Sequence, residues 1–324
     1  MSTDRVARIH VHHGFEPALG EAIAAQLRAA MGAEREIVVS HKDEELRQVI
    51  GEVEVMLAFR PPRGIWAGAR RLRLIQMMGA GVDALLPAPD LPPQVRVTNA
   101  RGLHGAQMSE FALAMMLALA KRIPRALEQK QAHQWKIYGM PQLAGKTLGI
   151  LGLGAIGAAV AEKAVAFGMR VIGTQRDPKP TPNVERTFGG ADASERVLRE
   201  SEFAVVLLPL TPETRGSIGA RELDWLPQGA YLVNLARGGI VDEAALLERL
   251  RSGRIGGAAF DVFSREPLPT DHPLWDAPNL IMTPHVAGLE PDYMKKLMKL
   301  AVDNVSRLEK GEPLVNEVDR ARGY

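Results

Sequence analysis

Residues 147–164, TLGILGLGAIGAAVAEKA, place a glycine-rich turn between an apolar run and an alanine-rich run. Gly152, Gly154 and Gly157 stand there in G-x-G-x-x-G spacing. The spacing alone is weak evidence, but a strand before it and a helix after it form the context of a dinucleotide-binding turn. The first glycine permits the tight turn, the second lets a pyrophosphate approach the backbone, and the third allows close helix–strand packing. The stretch therefore predicts a βα unit whose helix N-terminus binds phosphate, with a glycine-rich turn that binds nothing as the alternative.

Short apolar runs alternate with helical stretches along the whole chain. Runs such as VEVMLAF (53–59) and LRLIQMM (72–78) are almost continuously apolar, which is typical of parallel strands covered on both faces. The alternation restarts after Gly145, with strand candidates such as AYLVNLA (230–236). Strands and helices at this spacing predict βαβ units. The predicted fold class is α/β, with two doubly wound parallel-sheet domains, one Rossmann-type and one smaller and flavodoxin-like.

The length of 324 residues exceeds what one hydrophobic core usually serves, so two domains are expected. The predicted division gives residues 1–98 plus 289–324 to a substrate domain and residues 99–288 to a dinucleotide-binding domain. A closing helix is predicted after Pro291, ended by Gly311 and Pro313. The first domain is discontinuous if that helix packs back on it. Its predicted apolar stripe consists of Met294, Leu297, Met298, Ala301, Val302, Val305 and Leu308.

Composition excludes several classes of protein. A formal charge of +2 is far from the dense basic patch of a nucleic-acid binder and suits a small anionic substrate better. With no cysteine, the chain has no disulfide, thiolate metal site or cysteine nucleophile, and nothing else in it predicts a metal site. The longest clean apolar run, FALAMMLALA (111–120), is half the roughly 20 residues that span a bilayer. We therefore expect a cytoplasmic protein with no nucleic-acid or membrane partner.

Charged residues follow three of the predicted strands. Arg237 comes after AYLVNLA, Asp261 and Glu266 follow the strand that begins at Gly257, and His285 follows LIMT. Taken singly, such a histidine is more often structural, and the arginine or glutamate more often forms a surface ion pair. Open α/β sheets, however, bind ligands at the carboxyl ends of their strands. We therefore expect these side chains to emerge at the same edge as the glycine turn.

The motifs together resemble those of the D-isomer-specific 2-hydroxyacid dehydrogenases, a family that includes glyoxylate/hydroxypyruvate reductases. The resemblance covers about residues 74–320. The matching motifs are MMGAGVDALL, NARGLHGAQMSEFALAMMLAL, GKTLGILGLGAIG, VVLLPLTPETRGSI, LVNLARGGIVDEAAL, AAFDVFSREPLP and MTPHVAG.

The resemblance implies three catalytic residues whose chemistry suits reduction of a 2-keto acid. Arg237 offers a planar fork for the substrate carboxylate, and His285 offers the proton for the carbonyl oxygen. Glu266 is expected to hydrogen-bond the other imidazole nitrogen, which fixes the tautomer and favours the protonated ring. A nicotinamide would supply the hydride.

The resemblance also implies further binding residues. The backbone amides of Ala80 and Gly81 are expected to help hold the substrate carboxylate, together with Arg237 and His285. The expected cofactor-binding residues are Gly152, Gly154, Ala155, Ile156, Gly157, Gln175, Arg176, Leu208, Pro209, Thr214, Ala236, Asp261, His285 and Gly288. Among these, Asp261 is expected to meet the nicotinamide carboxamide, with a strand-end cap as the alternative.

Coenzyme preference depends on the end of the strand RVIGT. An acid there would bind the ribose 2′-hydroxyl and repel a 2′-phosphate, but the position holds Gln175, followed by Arg176. Arg176 can pair with a phosphate. Asp177 comes two positions late, so a shifted register could still favour NAD. We predict NADP as the preferred coenzyme, with NAD as the alternative.

The predicted function is an NAD(P)-dependent D-2-hydroxyacid dehydrogenase that reduces glyoxylate, hydroxypyruvate or pyruvate-like acids. The resemblance also implies a homodimer, with the segment around Trp135 and the FALAMMLALA helix near its interface. Two alternatives stay open: a nucleotide-sensing corepressor on the same fold, and a dehydrogenase of an inorganic oxyanion such as phosphite.

Overall fold

The computed structural model describes residues 5–12, 17–32 and 34–323. Contacts between residues divide the chain into two compact units, Met1–Leu103 with Glu290–Tyr324, and His104–Leu289. The predicted boundaries were residues 98/99 and 288/289. The assignment of the first unit to the substrate and the second to the cofactor remains a prediction.

Helices and strands alternate along much of the chain, although the last three strands of the first unit follow one another with no α-helix between them. None of the described helices is long and apolar enough to cross a membrane. The strands are β1 (Arg8–His12), β2 (Glu36–Ser40), β3 (Val55–Ala58), β4 (Leu74–Met77), β5 (Arg96–Thr98), β6 (Thr147–Leu151), β7 (Arg170–Thr174), β8 (Arg186–Phe188), β9 (Phe203–Val206), β10 (Ala230–Asn234), β11 (Ile255–Phe260) and β12 (Leu280–Met282). The α-helices are α1 (Pro17–Met31), α2 (Asp43–Val49), α3 (Gly105–Ala120), α4 (Ile123–Gln131), α5 (Ala155–Ala166), α6 (Ala193–Glu200), α7 (Ala220–Leu223), α8 (Glu243–Arg251) and α9 (Tyr293–Lys310).

The first unit is built on a parallel sheet with the strand order β2-β1-β3-β4-β5. This is the flavodoxin-like order of a doubly wound sheet, so the predicted fold class is confirmed here. Leu57 and Leu74 belong to the core cluster that includes α1 and α9. Met56 and Ile75 belong to the cluster on the other side, with α2 and Trp66. Cover on both faces explains why these strands are almost continuously apolar.

Helix α9 is part of the first unit, although it lies at the far end of the sequence. It ends at Gly311, whose φ of 69° is left-handed, as helix-ending glycines often are. The predicted stripe is confirmed, since all seven of its residues belong to or pack against the cluster shared with β1, β3 and α1. Asn304 is fully buried and its Nδ2 donates to Oε1 of Gln76 on β4 at 2.9 Å. The hydroxyl of Tyr293 donates to the carbonyl of Met78.

The second unit is built on a seven-stranded parallel sheet with the order β12-β11-β10-β9-β6-β7-β8. One face packs on α3 and α5, and the other packs on α6, α7 and α8. This is the Rossmann order with an added strand, and the strand order reverses between β6 and β9. The predicted Rossmann domain is therefore confirmed. Strand β8 was not predicted, because only Phe188 of its three residues is buried.

Candidate active site

The parallel second sheet brings the carboxyl ends of its strands to one edge. The glycine turn follows β6, and Gln175 follows β7 directly. Arg237 follows β10, Asp261 follows β11 and His285 follows β12. The predicted residues of this unit therefore gather at one sheet edge, around the point where the strand order reverses.

The glycine turn has the geometry that the spacing predicts. Gly152 has a φ of +106°, and a Cβ there would lie 2.9 Å from the carbonyl carbon of Leu207. A Cβ on Gly157 would lie 2.7 Å from the carbonyl oxygen of Gly152, so helix α5 packs too closely for a side chain. A Cβ on Gly154, by contrast, would meet no atom within 4 Å and would project into open space beside the first turn of α5.

The amides of Ala155, Ile156 and Gly157 belong to the first turn of α5, where backbone N–H groups have no partner within the helix. Gly154 precedes them in an extended conformation. Open space beside these amides suits a pyrophosphate, which a side chain at Gly154 would obstruct. The residues present therefore fit a dinucleotide cofactor.

Gln175 holds the turn that follows β7. Its Nε2 donates to the carbonyl of Leu153 at 3.0 Å, and its Oε1 accepts from the amide of Lys179 at 3.2 Å. Both ends of the amide are thus occupied within the protein, and a contact of Gln175 with the cofactor remains a prediction.

Arg176 follows Gln175 and is exposed. A hydrogen bond with Thr211 is the largest cause that lowers the pKa of Glu213, and the nearby Arg176 contributes as well.

The segment after β9 contains Leu208, Pro209 and Thr214. The hydroxyl of Thr214 donates to the carbonyl of Pro209 at 2.6 Å, and the same oxygen accepts from the amide of Thr211 at 2.8 Å. Leu208 packs against the core of the unit. The turn is therefore fixed by its own side chains, and its contact with the adenosine part of the cofactor remains a prediction.

Arg237 leaves the end of β10 beside the turn that follows β11. Its guanidinium donates to the carbonyl of Ala236 at 2.7 Å, and its side chain is half-buried. Gly238 allows this arrangement, because a Cβ on it would lie 1.9 Å from the carbonyl oxygen of Phe263. The absence of a side chain at Gly238 lets Arg237 lie next to the turn that carries Glu266.

Asp261 is buried and holds the segment that presents His285. Its Oδ1 accepts from the hydroxyl of Thr283 at 2.6 Å and from the amide of Val286 at 2.9 Å. Its Oδ2 accepts from the amide of Ala287 at 2.9 Å, and its carbonyl accepts from the amide of His285 at 2.8 Å. The alternative role of a strand-end cap is thus seen directly, and the contact with nicotinamide remains a prediction.

His285 and Glu266 form the polar pair that the sequence predicts. His285 Nδ1 lies 2.8 Å from Glu266 Oε2, and Oε1 of the same carboxylate accepts from the amide of Phe263 at 3.1 Å. The imidazole side chain is 40% exposed and therefore accessible to a ligand. His285 adopts a left-handed φ of 56°, which costs energy for a residue other than glycine and is typical of functional sites.

Three further predicted residues, Gly288, Ala80 and Gly81, belong to segments that make contacts within their own units. The carbonyl of Gly288 lies 3.3 Å from Nδ1 of His104, and both residues are in the second unit. Ala80 and Gly81 follow β4 in the first unit, where Asn99 donates to the carbonyl of Ala80 at 2.9 Å. Binding of a ligand by Gly288, Ala80 or Gly81 remains a prediction.

Sequence reasoning missed several residues that shape this edge. Thr283 holds Asp261, Gly238 provides the close backbone approach, and Thr174 accepts from the amide of Gly152 at 3.0 Å. The doubled glycine after Arg237 was a visible signal for Gly238. The two threonines gave no signal, because their partners lie 22 residues away in the sequence.

A Rossmann sheet with a glycine turn, and with a carboxylate-paired histidine and an arginine at the same edge, is the arrangement expected of a dinucleotide-dependent oxidoreductase. Residues 113–287 match the model of the D-isomer specific 2-hydroxyacid dehydrogenase family, NAD binding domain. The chain belongs to this family, which confirms the resemblance, and it is an NAD(P)-dependent oxidoreductase of 2-hydroxy acids.

Individual relatives agree with this placement. Glyoxylate/hydroxypyruvate reductase A of Salmonella paratyphi C is 38% identical over 281 residues, covering 83% of this chain and 86% of its own. A family member from Xanthobacter autotrophicus Py2, crystallised with NADPH and MES, is 37% identical with a TM-score of 0.88, covering 98% of this chain and 100% of its own. The NADPH-dependent glyoxylate/hydroxypyruvate reductase of Sinorhizobium meliloti, crystallised with NADP and sulfate, is 31% identical with a TM-score of 0.88 and the same coverage.

Proposed function

We propose that the protein reduces small 2-keto acids, with glyoxylate, hydroxypyruvate or a pyruvate-like acid as substrate. The observation that carries the proposal is the contact of 2.8 Å between His285 and Glu266 at the sheet edge that Arg237 also occupies. The names of the Salmonella and Sinorhizobium relatives support the choice of glyoxylate and hydroxypyruvate.

His285 is the proton donor in this proposal. Because Nδ1 faces Glu266, Nε2 is the nitrogen that can reach the carbonyl oxygen of the substrate. The carboxylate of Glu266 can accept from the N–H of Nδ1, which fixes the tautomer and the orientation of the ring. The hydrogen bonds from Asp261 fix the segment around His285 and so limit its freedom before the reaction.

Arg237 binds the substrate carboxylate in this proposal. A guanidinium presents two parallel N–H donors, which match a carboxylate in geometry and charge. That contact would orient the keto group toward His285. When bound, the nicotinamide supplies the hydride to the carbonyl carbon. The proposed residues to hold the cofactor are the glycine turn, the first-turn amides of α5, and the turns that follow β7 and β9.

NADP is the proposed coenzyme in preference to NAD. Arg176 is exposed at the end of β7, where a cation can pair with a ribose 2′-phosphate. The relatives from Xanthobacter and Sinorhizobium were crystallised with NADPH and NADP.

We also propose that the protein is a homodimer. Large apolar side chains concentrate on α4 and the segment that follows it, where Trp135 is 96% and Ile137 is 95% exposed. Such a concentration marks an interaction surface. Light scattering that reports a monomer at micromolar concentration would contradict this proposal. The cytoplasmic location remains a prediction from the sequence.

Initial rates with a panel of substrates test the proposed function. Glyoxylate, hydroxypyruvate and pyruvate would each be supplied with NADPH and with NADH, and the loss of nicotinamide absorbance recorded. We expect turnover with at least one of these acids and a higher kcat/KM with NADPH. Phosphite with NADP⁺ serves as the comparison. Reduction of NADP⁺ by phosphite, without turnover of any keto acid, would overturn the proposal.

A further inference from the structure

The first residue of α8 reaches the turn that carries Glu266. Glu243 Oε1 accepts a hydrogen bond of 2.6 Å from the amide of Ser264, which lies 21 residues away in the sequence. The side chain of Glu243 is only 13% exposed. A charged carboxylate that is largely withdrawn from water needs partners, and a backbone amide is a strong one.

The other carboxylate oxygen of Glu243 faces His272. Oε2 lies 3.6 Å from Nε2 of His272, and Nδ1 of that ring accepts from the amide of Leu274 at 3.3 Å. Because Nδ1 accepts, a neutral His272 carries its proton on Nε2, on the side of Glu243. At 3.6 Å this contact is longer than a hydrogen bond, so the amide of Ser264 is the closer partner of the carboxylate.

Two consecutive amides of the turn after β11 are therefore held by carboxylates. The amide of Phe263 donates to Glu266 within the turn, and the amide of Ser264 donates to Glu243 from outside it. The first contact moves with the turn, whereas the second anchors the turn to α8. Glu266 lies two residues after Ser264 and contacts His285 at 2.8 Å, so a shift of Ser264 would displace that contact.

We propose that Glu243 is a positioning residue for proton transfer, which fixes the turn that carries Glu266 and thereby the orientation of His285. This inference rests on the proposed role of His285 as proton donor. Glu243 acts through Ser264 and Glu266, and its effect depends on the reach of its side chain rather than on its charge.

Two substitutions separate reach from charge. Glu243→Gln keeps the length of the side chain and an oxygen that can accept from Ser264, but removes the charge. Its N–H₂ group would face Nε2 of His272, which at 3.6 Å is beyond hydrogen-bond distance. Glu243→Asp keeps the charge in the first turn of α8, but shortens the side chain by about 1.5 Å. The helix cap survives both changes, since Asp242 itself accepts from the amides of Ala244 and Ala245.

The test measures kcat and KM with NADPH and the keto acid that the panel identifies. We expect Glu243→Asp and Glu243→Ala to lower kcat about 10- to 100-fold, because a misplacement of ~1 Å can cost that much, with little change in either KM. Glu243→Gln should keep kcat close to that of the wild type. Equal losses of kcat in Glu243→Gln and Glu243→Asp, or a near-normal kcat in Glu243→Asp, would overturn the inference.

A matched control and a stability measurement complete the test. Glu248→Ala removes an exposed carboxylate from the same helix and should leave kcat unchanged. The melting temperature and the NADPH-binding stoichiometry of each variant show whether it is folded. If Glu243→Ala does not fold, the kcat of Glu243→Gln compared with that of Glu243→Asp still tests the inference. Normal turnover in His285→Ala would refute the proposed function. If His285→Ala loses turnover but Glu243→Asp keeps a near-normal kcat, only the role of Glu243 is refuted.

Discussion

His285 Nδ1 lies 2.8 Å from Glu266 Oε2, and the left-handed backbone of the same histidine is tied to Asp261. One carboxylate therefore orients the ring while another residue orients the chain that carries it. The arrangement leaves Nε2 as the nitrogen that can give a proton to a substrate. Both partners come from the end of β11 or the turn after it, so the geometry of His285 is determined within one unit.

Replacing the imidazole tests its role as the acid. We expect His285→Ala to lower kcat for keto acid reduction by about 10²- to 10⁴-fold, the usual contribution of a positioned general acid. The affinity for NADPH, measured by fluorescence titration, should stay near that of the wild type. A variant that binds NADPH normally and still turns over at an undiminished rate would show that another group supplies the proton.

Glu266→Gln tests the carboxylate beside the ring. The new amide can still accept from the amide of Phe263, but its N–H₂ group only donates, so the ring loses the oxygen that accepts from Nδ1 and fixes its orientation. We expect kcat for keto acid reduction to fall about 10- to 100-fold, since a misplaced ring transfers its proton less well, while KM for NADPH stays near that of the wild type. The measurement is kcat and both KM values at one pH. An undiminished kcat would contradict the role of Glu266 in orienting His285.

Arg237→Lys tests recognition of the substrate carboxylate. Lysine keeps the positive charge but lacks the planar fork, so one of two parallel hydrogen bonds is lost. A hydrogen bond to a charged group contributes about 1.5 to 3 kcal/mol, so KM for the keto acid should rise roughly 10- to 100-fold. KM for NADPH should hardly change. A comparable rise in both KM values would place Arg237 outside the substrate site.

Both sheets, and the gathering of Arg237, Asp261 and His285 at one sheet edge, could be predicted from the sequence, because these depend on local patterns. Continuous apolar runs predicted parallel strands, and the glycine spacing predicted the turn after β6. Arg237 and His285 could be placed at one edge because parallel strands end on the same side of a sheet.

The residues that were not predicted depend on contacts between distant parts of the chain. Glu243 meets Ser264 across 21 residues, and Thr283 meets Asp261 across 22. The close approach of Gly238 to Phe263 depends on the spacing of two neighbouring strands, which no local pattern records. Strand β8 was not predicted from the sequence, because its pairing with β7, rather than its own composition, makes it a strand.

Arg176→Ala tests the proposed coenzyme preference. We expect KM for NADPH to rise about tenfold or more while KM for NADH hardly changes, since only NADPH carries a 2′-phosphate for the guanidinium to bind. Arg251→Ala removes an exposed arginine from the last turn of α8 and serves as the control. An equal rise in KM for NADPH and for NADH would contradict the assignment of Arg176 to the 2′-phosphate.

A buried histidine in the first unit makes its stability depend on pH. His10 is fully buried on β1, and its Nε2 lies 2.7 Å from the hydroxyl of Ser40. Burial is the main cause that lowers the pKa of His10 from 6.5 to about 4, with further lowering by His12 and Arg8 and an opposing effect from Glu45. The folded state therefore favours the neutral ring, and protonation favours unfolding.

Because the folded-state pKa is the lower one, the contribution of His10 is complete above pH 6.5 and is lost as the pH falls toward 4. The loss should reach on the order of 3 kcal/mol of unfolding free energy at pH 4. Urea unfolding at pH 7, 5.5 and 4, followed by exchange of the β1 and β2 amides, measures it. His10→Gln cannot titrate and should flatten this dependence, whereas replacing the exposed His133 should not. An equally steep pH dependence in His10→Gln would assign the acid sensitivity to other groups.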